Sequence, residues 1–455
     1  MSGFEQKVSA ARRSHQILTS SATAVAARVV TVACSFVAMP MSLVYLGVPA
    51  FGVWAAITSV VALMAFTDLG IGNGVLNMLS QAFGRDDHVA IRQIVATAGV
   101  LLAGIGAAGF AVFLLLHPFV PWDTVLGARH TVPRAAVAAA VLVFAAVFAV
   151  GLPVTLIQRV QFALQMGYLN GIVQAGSGIL SLLFIYLVTR TALGLPGMVA
   201  ATLAAPVLVT LASAAWMHRR TPQYFPSSAD FVPARVRPIL SSGFQFLFLG
   251  LSFCLAQMSD SVVIANTAGA QDVASFAVHQ KLASPIAFIG GMALTPLWAA
   301  YGEAMARGDV AWVRHAFRRS LAILAAAGIG LSALLMWGLE PLMQIWLRGR
   351  LPADGWMAAA LLLWLSVELM GKAVSVFLHG VGMVSQQVWI AAAFLPICLA
   401  AKVWGGLHFG AVGVVFGTTL AFVLVHAWPY WRLVRQWHRR HPLQPAVGAA
   451  GQGDS

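Results

Sequence analysis

The sequence predicts an all-α polytopic membrane protein with about twelve transmembrane helices in two six-helix bundles. Three observations predict it. The 455 residues are 60% hydrophobic and only 9% charged, where a soluble chain carries roughly 25% charged residues. Apolar runs of the length needed to span a bilayer, about 20 residues, recur along the whole chain. The basic residues also alternate sides in register with those runs.

The runs fall near 17–39, 53–76, 93–116, 134–157, 168–189 and 194–216 in the first half. In the second they fall near 239–263, 273–297, 319–339, 356–379, 386–405 and 409–431. Little chain is left over for a soluble domain. The first 16 residues are polar and the first run carries Arg28 at its centre. That is a poor secretory h-region, so the first helix is read as uncleaved. The tail after Arg440 is rich in Gly, Ala and Pro and reads as disordered.

With the N-terminus inside, 18 of the 27 Lys and Arg residues fall in cytoplasmic segments, Arg159 among them. The outer segments hold six: Arg129, Arg134, Arg190, Arg348, Arg350 and Lys402. Arg28, Lys281 and Lys372 remain inside the membrane. This is the positive-inside pattern, and it accounts for the net charge of +13 without nucleic acid. It places the chain in the cytoplasmic (inner) membrane with both termini cytoplasmic. The three cysteines all lie in apolar runs, with no disulfide framework or metal spacing. No G-x-x-x-x-G-K-[ST] motif points to ATP. No cofactor is expected.

The chain also repeats itself. At an offset of 222 residues, Leu46-Gly47 and Phe51-Gly52-Val53-Trp54-Ala55 align with Ala268-Gly269 and Val273-Ala274-Ser275-Phe276-Ala277. In the same register Arg85-Asp86-Asp87 aligns with Arg307-Gly308-Asp309, and Arg92 with Arg314. Similar turns and loops in any membrane protein could produce part of this match. Read as a duplication, it gives an N-terminal lobe over 1–217, a cytoplasmic linker over 218–238, a C-terminal lobe over 239–440 and a tail over 441–455. Six helices per half keep the halves parallel.

Function is sought in the polar groups at membrane depth, where an unpaired charge costs about 2.5–3.5 kcal/mol on insertion scales. Ser21, Arg28, Thr31 and Ser35 share one face of the first helix. They either line a water-filled cavity or pair Arg28 with a neighbouring helix. Lys281 lies mid-way along the eighth helix; it either completes a divided anion clamp with Arg28 or bonds a carboxylate such as Asp260. Trp364, Glu368, Lys372, Ser375 and His379 fall on one face of the tenth helix. Glu368 and Lys372 have the favourable i, i+4 order and form either a structural pair or a switch. Asp68, in the glycine-rich run 68–74, is a helix-end partner or a proton carrier. Asp260 binds a cation with Gln257 and Ser261, or pairs with Lys281. Trp54, Trp122, Trp298, Trp346 and Trp431 are expected in interfacial belts.

Tyr45-Leu46-Gly47, Phe51-Gly52-Val53-Trp54 and Asp68-Leu69-Gly70-Ile71-Gly72-Asn73-Gly74 together resemble the opening of Wzx-type polysaccharide flippases. Asp260-Ser261-Val262-Val263-Ile264-Ala265, Pro296-Leu297-Trp298 and Glu303-Ala304, with Arg307-Gly308-Asp309, Trp312 and Arg314, resemble the same family further on. The similarity spans roughly 15–435. That family belongs to the MOP superfamily, with MATE drug exporters and the lipid II flippase MurJ as relatives. The resemblance implies two bundles around a central cavity, alternating access, and an isoprenoid-pyrophosphate-linked oligosaccharide as cargo for O-antigen or exopolysaccharide synthesis. It implies a role for Arg28 and, less directly, Lys281 at the pyrophosphate. The family's cation site carries over only to Asp260, since no acid lies in 386–405; a coupling ion, proton or sodium, stays open. The expected partners are that lipid-linked oligosaccharide, membrane lipids, and the glycan polymerase and glycosyltransferases of the same pathway.

Two other functions are weighed. A MATE-type cation-coupled drug antiporter calls for an acidic cavity, and the first helix offers Arg28 and no acid. A membrane glycosyltransferase, polymerase or ligase calls for an acidic pair or a long outer loop. The longest outer stretch, about 117–133, has Asp123 as its one acid. The expectation is a transporter, not an enzyme.

Overall fold

The computed structural model describes residues 3–63, 68–126, 128, 131–292, 294–347 and 353–442. Among these there are helices and connecting turns and no strand. The first half comprises α1 (Gly3–Leu63), α2 (Ile71–Gly84), α3 (His88–Leu116), the single turn α4 (Trp122–Val125), α5 (Arg134–Ala163), α6 (Gly167–Val188) and α7 (Gly194–Arg220). The second comprises α8 (Val236–Thr267), α9 (Ala270–Met292), α10 (Leu294–Ala306), α11 (Val310–Trp337), α12 (Leu339–Leu347), α13 (Gly355–Gly380), α14 (Val384–Phe422) and α15 (Trp428–Arg440).

Among the described residues, nine helical stretches are long and apolar enough to cross a bilayer. Two of them are each broken by one left-handed glycine, Gly47 in α1 and Gly410 in α14. Each break turns one continuous helix into two spans. With α9 as the eighth, the helices follow the order of the twelve apolar runs. Helices suit these spans because lipid offers the backbone no hydrogen bonds and a helix satisfies them within itself.

The duplication is written into the backbone. Gly47 and Gly269 both have positive φ (71° and 100°), as do Asp86 and Gly308 (55° and 74°), at the offset of 222. One residue further on, Asp87 caps α3 by accepting from the Ala90 N–H at 2.8 Å, and Asp309 caps α11 by accepting from the Trp312 N–H at 3.2 Å. Beyond the region where the sequences visibly match, positive-φ positions recur in the same order at shorter offsets: Gln165 with Gly382 (217 residues apart) and Gly194 with Gly410 (216 apart).

The chain divides into two compact units. One is Met1–Leu251 with Thr295–Glu303; the other is Ser252–Leu294 with Ala304–Ser455. In the first, α6 packs on α1 and α7, and α5 on α3 and α7. Small residues allow the close approach: a Cβ on Gly171 would run into the backbone of Thr23, and one on Gly106 into that of Ala149. Glycine at such contacts is the usual means of helix association in lipid, where burial of apolar surface gives no driving force. Arg13, buried on α1, pairs with Glu303 at 3.6 Å. In the second unit, α13 packs against α9, α11 and α14. The two arms of α14 meet through glycine, since a Cβ on Gly405 would strike the backbone of Gly413, and one on Gly417 that of Ala401.

Between α7 and α8 run three short 3-10 turns, 222–224, 228–230 and 233–235. Asp230 closes the middle one by accepting from the Ser227 N–H at 2.8 Å and from its hydroxyl at 2.9 Å, with Arg92 at 3.5 Å. The backbone bond from Ser227, then the hydroxyl, holds the Asp230 carboxyl below the ordinary carboxylate range. After α14 a π-turn, Val423–Ala427, leads into the basic helix α15.

Trp298, expected at the membrane interface, is instead buried, with its ring 5.1 Å from that of Phe246. It follows Pro296-Leu297 in a segment packed within the first unit, so the apolar surroundings are protein. Trp54 is half-buried and donates from Nε1 to Thr202 at 3.2 Å.

Candidate functional site

Three helices of the second unit line an open cavity of about 380 Å³. α8 contributes Gln257, α9 contributes Gln280 and Lys281, and α13 contributes Trp364 and Glu368. The sequence sets this up locally. Gly269 makes the turn that ends α8, and Asp272 in the first turn of α9 suits the positive end of its dipole. Lys281 then falls three turns in, exposed on its helix. Glu368 is buried and lies 2.5 Å from Lys372, one turn on. Lys372 also sits over the ring of Phe253, 5.3 Å from its centroid. The acid in the wall is thus charge-matched from its own helix. The polar residues of the lining are two amides, Gln257 and Gln280, which both donate and accept, the paired Glu368, and Lys281. Such a set can hold hydroxyls and a phosphate-type anion.

The face of α13 read from the sequence splits in two. Trp364 and Glu368 line the cavity. Ser375 and His379 belong to a separate polar cluster, in which Ser375 donates to Gln387 Oε1 at 2.6 Å and lies 3.4 Å from His379 Nε2. The Tyr430 hydroxyl donates to the same Gln387 oxygen at 3.3 Å.

Asp260 and Lys281 are both in the second unit, and the partner of Asp260 is Lys402. The Lys402 ammonium lies 2.7 Å from Asp260 Oδ1, with the lysine side chain wholly buried. This corrects the placement of Lys402 in an outer segment. It sits inside the first arm of α14, because the turn comes at Gly410 and not before it. The signal was present: Lys402 follows Leu399-Ala400-Ala401 in an unbroken apolar run. Asp260 also accepts from the Thr418 hydroxyl at 3.5 Å.

In the first unit, Arg28 is exposed on α1 and Ser35 shares its exposed side. Thr31 is half-buried near Gly178 of α6, and its hydroxyl donates to the Ala27 carbonyl at 2.8 Å. Ser35 donates back to Thr31 O at 2.8 Å. Ser21 is half-buried, its hydroxyl oxygen shielded from solvent. The four residues therefore split between the α6 contact and the open side. Asp68 caps α2, accepting from the Gly70 N–H at 2.9 Å and the Gly72 N–H at 3.2 Å.

Arg159, placed by sequence in a cytoplasmic segment, belongs to α5. It and Asp68 stand at the same spot, since a Cβ on Gly72 would lie 2.7 Å from Asp68 Oδ2 and 2.9 Å from Arg159 Nε. Both border a mostly apolar cavity of about 380 Å³ between α5 and α7. Arg129, Arg348 and Arg350 lie outside the described residues, as does the tail beyond 442. Among the described residues no cluster of His, Cys, Asp and Glu could hold a metal ion.

Solved structures share the fold. A point mutant of the Vibrio cholerae MATE transporter VcmN superposes with a TM-score of 0.76 at 17% identity, covering 95% of this chain and 98% of that one. An outward-facing multidrug resistance MATE family transporter of the MOP superfamily gives 0.74 at 16%, covering 92% and 96%. A Pyrococcus furiosus MOP superfamily transporter, described as having a binding pocket of reverse polarity suggesting a different function, gives 0.71 at 16%, covering 92% and 95%. No curated protein matches significantly in sequence. A family described as "Polysaccharide biosynthesis protein" matches residues 17–298, more than half of the chain. The chain is thus a member of the polysaccharide biosynthesis protein family, with the fold of the MATE transporters it superposes on.

Proposed function

We propose that this protein flips an isoprenoid-pyrophosphate-linked oligosaccharide across the cytoplasmic membrane by alternating access, for O-antigen or exopolysaccharide synthesis. The observation that carries the reading is the Lys281 cavity. A diphosphate cannot cross hydrocarbon unaided, since burying an unpaired charge costs far more than thermal motion supplies. A pocket with an ammonium for phosphate oxygens and amides for sugar hydroxyls offsets that cost. Its volume of about 380 Å³ is at the lower end of ligand cavities, about 300–1,000 Å³. It suits a diphosphate and its first sugar, with the rest of the glycan and the lipid tail outside. Arg28 offers the same phosphate chemistry in the first unit. Membership of a polysaccharide family supports this cargo over a drug. The basic inner segments, α15 among them, support cytoplasmic termini.

The test is glycan export in cells whose own copy is replaced by variants of the full chain. Lys281→Ala and Arg28→Ala are expected to reach the membrane at normal level and to cut outward glycan at least tenfold. Lipid-linked oligosaccharide then accumulates on the inner leaflet. Lys281→Arg is expected to retain transport. Normal export in both alanine variants would overturn the reading, and lost drug resistance with an intact glycan would replace it with the antiporter.

A further inference from the structure

We propose that Lys402 is a tethered cation that permanently fills a monovalent-ion site on Asp260, so that this chain neither binds nor uses sodium there. The inference refines the transport reading by naming its ion dependence, but the site's geometry stands without that reading.

The geometry is that of an ion in an oxygen shell. The Lys402 ammonium lies against Asp260 Oδ1 at 2.7 Å, donates to Ser259 Oγ at 3.1 Å and donates to the Ala256 carbonyl. Ala256, Ser259 and Asp260 are spaced i, i+3 and i+4 on α8, so their oxygens converge from one face. Thr418, on the other arm of α14, bonds the same carboxylate oxygen. One carboxylate, one carbonyl and one hydroxyl around the ammonium are oxygen donors of the kind hard cations take. Here the cation they hold is part of the chain.

Its tether is rigid. Lys402 is wholly buried, and its arm of α14 is locked to the returning arm by backbone contact at Gly405–Gly413 and Ala401–Gly417. Replacing Lys402 by Met keeps the apolar stem and vacates the ammonium position, whose walls are already ion ligands. The carboxylate left behind, buried and unpaired, then needs a replacement charge. A sodium ion from solution meets that need; a choline ion is too large for the gap.

The test uses the purified full chain in detergent, unfolded by heat in sodium chloride and in choline chloride of equal ionic strength. The wild type is expected to melt at the same temperature in both. Lys402→Met is expected to melt lower in choline and to recover by about 2–4 °C in sodium. Lys402→Met/Asp260→Asn, which removes both charges, is expected to fold in either salt and to respond to neither. A sodium-dependent rise in the wild type overturns the proposal. So does a Lys402→Met variant that ignores sodium, or that fails to fold in it while the double variant folds. Glycan export plays no part in this readout, so the transport reading and the tethered cation stand or fall separately.

Discussion

Glu368 and Lys372 face each other across 2.5 Å on the same edge of α13, the acid nearly buried and the lysine about one-third exposed. This pair decides what the neighbouring cavity presents. Without Lys372 the wall would carry an uncompensated carboxylate beside a ligand proposed to be an anion. Removing one member of a fully buried pair costs about 3–5 kcal/mol. Here solvent reaches the lysine, and the expected loss is about 1–2 kcal/mol for Lys372→Met. Lys372→Met/Glu368→Gln should regain most of it. Thermal unfolding of the four proteins in the cycle measures the coupling.

Arg13 and Glu303 form a second pair, with both side chains almost fully buried. Arg13→Ala or Glu303→Ala should each destabilise the chain by about 3–5 kcal/mol, through the charge left in the interior. Replacing both by Met should cost less than either single change. Yield and melting temperature in detergent report the difference.

The hairpin within α14 is closed by backbone contact. Gly405→Ala should therefore overpack it and cost about 1–3 kcal/mol or prevent folding. Gly104→Ala and Gly109→Ala are the controls. Both glycines sit in α3 with nothing near the added methyl, and alanine there should be neutral or stabilise by up to about 1 kcal/mol. Melting temperatures that fell equally for all three would contradict the contact.

The twin caps make a paired prediction. Asp87→Ala and Asp309→Ala each remove one side-chain acceptor from the first turn of α3 and α11. Each should cost about 1 kcal/mol, with faster hydrogen exchange at the Ala90 and Trp312 amides. The two losses should add, since the caps share no partner.

The order of spans was legible because lipid imposes length and hydropathy on every crossing. The duplication was legible wherever a turn needed a particular backbone, as at Gly47 and Gly269, or a cap needed an acid, as at Asp87 and Asp309. Lys402 was not legible as a site. Counting charges by side puts any cation near a span end into a loop, and its true partner, Asp260, is remote in the chain. Trp298 escapes a sequence reading because an aromatic ring near a span end looks alike whether lipid headgroups or Phe246 face it. The spacing of Trp364, Glu368, Ser375 and His379 puts them on one face, but periodicity carries no depth. Only packing shows that one end of that face meets a cavity and the other meets Gln387 and Tyr430.

The duplicated halves share their turns but not the charges within their spans. At the offset of 222, Arg28 corresponds to Gly250, Asp260 to Ala38 and Lys281 to Ser59. A voltage across the bilayer pulls on net charge, by about 2.3 kcal/mol per charge for each 100 mV, and exerts no net force on a neutral dipole. Asp260–Lys402 and Glu368–Lys372 are such dipoles, each tied within a few ångströms. Four of the ionised groups in the second half are thereby electrically silent, and that half can shift within the membrane without working against the cell's potential on their account.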